Sequence, residues 1–341
     1  MTRVLVPDHI EGAAPLLGAR LQRLRGESMG TTWQVLWADA DRDGARQAAV
    51  RVAIEAELDL VVGQMSTWLP TSDLARFNAA PAGARLPLPE AFAEVLAAAL
   101  WLADTSSGAF NPASGALVNL WGFGPAPRYT DPGFASPSAD AVRAAMPATD
   151  WRALRFDAAA REATQPGGLR LDLSAIAKGH AVDRVARRLR AMGVAHALVE
   201  LGGELRGQGL RPDGMPWWVD LETPPVRAGQ AVPRATRVAL HSLSVATSGD
   251  YRRVYLVDGQ RLPHSIDPRS GRPVAHGLAS VSVLHADCLW ADAWSTALTV
   301  AGREQGLALA EAHGIAALFL QREADGCLTE TLTSAMERLA G

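Results

Sequence analysis

From Leu171 onward the chain alternates strand-like and helix-like segments, but without the strict βαβ rhythm of a parallel sheet. That mixture predicts an α+β fold. "LDLSAIAKGHAVDRVARRLRAMG" (171–193) passes from an alternating apolar run into a helix over 180–192. Its apolar residues fall at 181, 182, 185, 186, 189 and 192, and Gly193 is a C-terminal stop. "AHALVEL" (195–201) is a strand ending in Gly202-Gly203, and "VALHSLSVATS" and "LASVSVLHA" are further strands. "DCLWADAWSTALTVAG" (287–302) is a helix with Asp287 as candidate N-cap, and another helix and the strand "GIAALFL" follow. In the first half, "TTWQVLWA" (31–38) has strand composition. Helices are expected over 46–64 and 89–104, the second with proline near its first turn. Residues 1–26 read as a lead-in, 126–150 as a surface excursion and 208–236 as a variable hairpin. The glycine-rich "SGAFNPASGALVNLWGFGP" (107–125) is too apolar for a solvated linker and is expected as an ordered loop against the body.

Composition removes several classes. A net charge of −3 and no long basic run give no footprint for nucleic acid. The two cysteines, Cys288 and Cys327, define neither a disulfide framework nor metal spacing, and read as small buried hydrophobes. No stretch reaches the roughly 20 apolar residues of a membrane span. The N-terminus has no apolar core of signal-peptide length and no lipid-attachment cysteine, so the expected location is the cytoplasm. If the natural chain starts further upstream, the expected location is the periplasm.

Three clusters can carry chemistry. The Lys178-Gly179 pair beside a helix start suits an anion, although neither a Walker loop nor a GxGxxG fingerprint is present. The bland alternative is Asp172 or Ser174 capping the helix, with Lys178 in solvent. Asp292 and Thr296 lie four apart on one helix face and offer two hard oxygen ligands, suited to Mg²⁺ or Ca²⁺. Apolar neighbours Ala291, Ala293, Ala297 and Leu298 make a carboxylate there costly unless something compensates it; a capped or salt-bridged Asp is the other reading. In "ATSGDYRRVY" (246–255) and "HSIDPRSGRPV" (264–274), Ser248, Gly249 and Asp250 suit a tight turn. His264 is either a structural histidine or a proton acceptor near neutral pH.

Taken together, eight segments occur in one order and resemble the FAD:protein FMN transferase (ApbE) family. They are "MGTTW" (29–33), "MSTWLPTSDLARFN" (65–78), "GAFNPASGALVNLWGFGP" (108–125), "LDLSAIAKGHAVD" (171–183), "ELGGELRGQG" (200–209), "ATSGDYRR" (246–253), "HSIDPRSGRPV" (264–274) and "ADAWSTAL" (291–298). The resemblance implies one large flavin transferase domain over 27–341, a mixed, mainly antiparallel sheet flanked by helices. It implies Mg²⁺-dependent transfer of the FMN half of FAD to a Thr or Ser hydroxyl of an acceptor protein, with AMP leaving. Asp292 and Thr296 are then side-chain ligands of Mg²⁺, and backbone carbonyls of Ser295 and Ala175 complete the shell; Ca²⁺ or Mn²⁺ suits the same oxygens. Asp172 and Lys178 face FAD. Met29, Ser66, Trp68, Ala109, Phe110, Asn111 and Ile266 are nucleotide contacts, with Trp68 stacking on a ring. His264 accepts the proton of the incoming hydroxyl, with Asp250 as second participant. The sequence departs from the family at Asn111, where many members carry Asp, and at His180, where Tyr is common. Alternatives at the same site are a metal-dependent FAD pyrophosphatase giving FMN and AMP, and a non-catalytic FAD-binding protein.

Overall fold

The computed structural model describes residues 2–7, 9–10, 14–15, 17–40, 44–226, 230, 232–251, 254–257 and 260–340. Its centre is an eight-stranded sheet of β1 (Arg20–Ser28), β2 (Thr31–Asp39), β3 (Ala197–Leu201), β4 (Glu204–Gln208), β5 (Leu243–Gly249), β6 (Leu278–His285), β7 (Ala316–Arg322) and β8 (Leu328–Leu332). The strands lie side by side in chain order, and every neighbouring pair is antiparallel. The α+β expectation therefore holds. The parallel contribution is peripheral: Arg3–Leu5 pairs in parallel with Thr236–Leu240, which pairs antiparallel with Trp217–Asp220. The hairpin is expected within 208–236, but its second strand begins at the end of that span and runs to Leu240; 227–229 and 231 lie outside the described residues. The lead-in read over 1–26 contributes Arg3–Leu5 and most of β1. Edge pairing of a largely polar strand leaves a weak periodic signal, which hid it.

Period-two alternation sends the two faces of the sheet into different cores. Val281, Val283, Ala317 and Phe319 join Trp33, Val35 and Trp37 in the main core. Leu284, Leu318, Leu320 and Val245 join Leu5, Trp217, Val238, Leu240 and Met336 on the opposite face. The main core is covered by α1 (Gly44–Met65), α2 (Glu90–Thr105), α3 (Ala177–Ala191) and α4 (Cys288–Ala312). α4 breaks its helical geometry at Gly302, with φ 79°. The 107–125 segment is ordered, as expected, and includes a short helix at Gly115–Leu120. No described helix is long and apolar enough to cross a membrane.

The α3–α4 crossing positions everything below. A Cβ on Gly179 would overlap the Cys288 carbonyl oxygen and come within 2.8 Å of Asp292 Cβ. Only a glycine lets the first turn of α3 lie on the first turns of α4. Gly179→Ala is expected to cost about 1–3 kcal/mol as an overpacked contact, read as a lowered urea midpoint with unchanged slope; a wild-type midpoint would show that the helices separate freely.

Candidate functional site

At this crossing Asp292 is 3% exposed. Its Oδ2 accepts the Gly179 N–H at 2.9 Å, and its Oδ1 lies 3.8 Å from Lys178 Nζ. Burial raises the Asp292 carboxyl above its ordinary range, while Lys178 and the Gly179 amide pull the other way. Lys178 is not in solvent. Its ammonium donates to Glu204 Oε1, and the side chain keeps 28% of its exposure. Burial opposes its charge, but Asp292 and Glu204 more than offset that, so its pKa is raised. Glu204 is itself buried and its Oε2 has no hydrogen-bond partner. Burial, then the neighbouring Asp292, push the Glu204 carboxyl up, with Lys178 opposing.

Hydroxyls stand on the same turn of α4. Ser295 donates to the Asp292 carbonyl at 2.8 Å. Ser248 Oγ lies 2.9 Å from Ser295 Oγ and 3.1 Å from Thr296 Oγ1. Ser248 is thus not in a tight turn; it sits in β5 and faces α4. Asp287 holds the N-cap position of α4 without a side-chain cap bond. Asp183 of α3 supplies it instead, accepting from Cys288 N at 3.0 Å and Leu289 N at 2.9 Å, with Arg206 as its ion partner at 2.5 Å. A cap from another helix carries no local sequence signal. Among the described residues no group of three or more His, Cys, Asp or Glu could hold a metal ion; the candidate donors here are one carboxylate, hydroxyls and carbonyls.

Around this group lie the other predicted positions. Ala175 is half-buried in the 174–176 turn before α3. Asp172 Oδ1 accepts the Ser174 N–H at 2.8 Å and caps no helix. Asp172 also lines a cleft of about 160 Å³ with Thr67, Asn78, Asn119 and Arg170. Trp68 is 50% exposed, with the Arg128 guanidinium 5.4 Å from its ring centre. Ser66 Oγ accepts from Trp68 N and Leu69 N. Ala109 and Phe110 are buried. The Asn111 amide donates to the Thr149 carbonyl and accepts from Ala113 N, so both ends of it tie loops together. Met29 forms the β1–β2 turn at φ 51°, followed by Gly30 at φ 70°. A bulky residue there costs roughly 1–2 kcal/mol. The Gly202-Gly203 turn is its neighbour, with Gly202 N donating to Thr32 O.

His264 packs its ring edgewise at 6.3 Å from Phe123. Asp250 follows β5 and lies 3.8 Å from Arg322. Ile266 is buried in a small cluster with Leu117, Trp121 and Val142. Arg252 and Arg253 of the same motif lie outside the described residues.

A model of the ApbE family matches residues 29–319. The FAD:protein FMN transferase of Klebsiella pneumoniae (strain 342) is 35% identical over 311 residues, covering 90% of this chain and 86% of that protein. That of Haemophilus influenzae is 36% identical over 320 residues, covering 93% and 90%. Among solved structures, the apo flavinyl transferase ApbE of Pseudomonas stutzeri superposes with TM-score 0.84 at 40% identity, covering 96% of this chain and 98% of that one. The flavin transferase ApbE of Vibrio cholerae does so with TM-score 0.84 at 34% identity, covering 94% and 99%.

His180, next to Gly179, is 1% exposed, and neither ring nitrogen has a hydrogen-bond partner. Burial, then Arg184 and Arg187, lower its pKa to about 3. The folded ring stays neutral while the unfolded chain takes up a proton near pH 6.5. Stability from this group is present above pH 6.5 and is lost as pH falls toward 3, at up to about 1.4 kcal/mol per pH unit. Denaturant titrations from pH 7 to 4 should show that slope in the wild type and a flatter one in His180→Phe. Equal slopes would assign the acid lability to other groups.

Proposed function

The chain belongs to the ApbE family, and from that premise we propose that it moves the FMN half of FAD onto a Thr or Ser hydroxyl of an acceptor protein. The observation that carries the reading is the buried group at the helix crossing. Two carboxylates, Asp292 and Glu204, face one ammonium, Lys178, and Glu204 Oε2 has no partner. With both carboxylates ionised one negative charge is in excess, where burial makes that costly. Such a place favours a cation, and oxygen donors favour a hard divalent one. Asp292 and Thr296 would hold Mg²⁺ by their side chains, with carbonyls of Ser295 and Ala175. When bound, the ion neutralises charge on the diphosphate.

The chain's own residues do the rest. Lys178, the partly exposed member of the group, meets the anionic diphosphate, and Asp172 faces FAD from the neighbouring loop. Trp68 offers an exposed ring for stacking, and Ser66 shapes its turn. Ala109, Phe110, Asn111 and Ile266 have buried or engaged side chains, so their contacts with the nucleotide are backbone ones. Met29 reaches it from the strained turn. The acceptor oxygen bonds to the phosphorus on the FMN side, the bond from that phosphorus to the bridging oxygen breaks, and AMP leaves with the bridging oxygen. The hydroxyl proton passes to a ring nitrogen of His264, which must enter the step neutral. Asp250 is the second candidate for the proton.

The experiment is incubation with FAD, Mg²⁺ and an acceptor protein, followed by intact-mass measurement of the acceptor. FMN released with no acceptor present would make the protein a pyrophosphatase, and FAD left unchanged would make it a carrier. Asp292→Ala is expected to abolish Mg²⁺-dependent turnover while the fold survives; full activity removes the metal reading. His264→Ala is expected to bind FAD and metal yet transfer roughly 10²- to 10⁴-fold more slowly. In single-turnover runs from pH 5.5 to 9 it should also lose the wild-type rise through neutrality. A wild-type rate and profile would make His264 structural.

A further inference from the structure

Glu204 is an unexpected carboxylate in this group, and its placement is specific. The turn before it has Gly202 at φ 64° and Gly203 at φ 103°, a left-handed pair that suits a two-residue hairpin loop. That turn delivers Glu204 as the first residue of β4, with its side chain 6% exposed. One oxygen, Oε1, takes the Lys178 ammonium. The same ammonium lies 3.8 Å from Asp292 Oδ1, beyond hydrogen-bond range. Among the described residues no other acidic side chain pairs with Lys178.

We propose that Glu204 is a positioning residue: it anchors the Lys178 ammonium off Asp292 and so keeps the Asp292 carboxylate open to a divalent cation. The inference rests on the cation reading given above. A lysine carries its charge on a flexible four-carbon stem. With its anchor removed, the ammonium closes on the nearest carboxylate, Asp292, at about 2.8 Å. At an effective permittivity of ~20, moving from 3.8 Å to that distance strengthens the attraction about tenfold in equilibrium terms. An internal cation then competes with an external one. Glu204 also adds its own negative charge to the site, and the two effects separate in a double-mutant cycle. If Glu204 only adds charge, removing Lys178 helps an external cation equally with or without Glu204. If Glu204 anchors Lys178, removing Lys178 helps far more once Glu204 is gone.

The measurement is calorimetric titration with MnCl₂, without FAD, on the full chain as wild type, Glu204→Gln, Lys178→Gln and the double variant, with Asp292→Ala as control. Lys178→Gln is expected to tighten Mn²⁺ binding about tenfold more in the Glu204→Gln background than in the wild type. Equal gains, within twofold, overturn the anchoring role while leaving the cation site in place. A wild type that titrates like Asp292→Ala overturns the cation reading and this inference together. If Glu204→Gln does not fold, Glu204→Asp carries the same comparison, since its shorter side chain also withdraws the anchor.

Discussion

Two helices that cross without a side chain between them set the geometry of the candidate site. At Gly179 the backbone of α3 lies against the Cys288 carbonyl and the Asp292 side chain of α4. That contact is close enough for the Gly179 amide to reach Asp292. One turn further along α3, Asp183 takes the first amides of α4 and is held by Arg206 from β4. The start of α4 is therefore fixed by α3 and by the sheet, and not by its own N-cap residue. A carboxylate held this way keeps one orientation, which is what a ligand site needs.

The sheet supplies the other side of the group. β4 carries Glu204 and β5 carries Ser248, and both face the first turns of the two helices. The turn between β3 and β4 lies beside the one between β1 and β2, where Met29 holds a left-handed conformation that glycine or asparagine would adopt more easily. Strain of that kind persists where surroundings over-determine it and is concentrated at functional positions. An antiparallel sheet with helices on one face thus brings the Glu204 carboxylate and the Ser248 hydroxyl to one helix crossing.

Charge and burial oppose each other here. Asp292, Glu204 and Lys178 are removed from most of the water, burial raises both carboxyls, and with both ionised one negative charge is left over. An unmatched charge in such a place is destabilising, and a cation seated there would relieve it. The hydroxyls of Ser248, Ser295 and Thr296 add oxygen donors without adding charge.

Much of this was legible in the chain alone. The apolar strand composition of β2, β3, β6 and β7 and the helical spacing of α1 and α3 follow from which side chains water excludes. Asp292 and Thr296 share a face because a helix returns every 3.6 residues, so their pairing needed no structure. The partners of these residues are another matter. Lys178 meets Glu204 across 26 positions, Ser248 meets Ser295 across 47, and Asp183 caps Cys288 across 105. No local pattern records such distances. The sequence by itself determined most of the elements after Ser28, the amphipathic faces and the oxygen-bearing turn of α4. Only the tertiary structure decided that Gly179 is a crossing point, that Asp183 caps a neighbouring helix, and that Glu204 and Ser248 join the group. The physical reason is that propensity and periodicity act within about one helical turn, whereas close packing of two backbones and the pairing of buried charges exist only after the chain has folded.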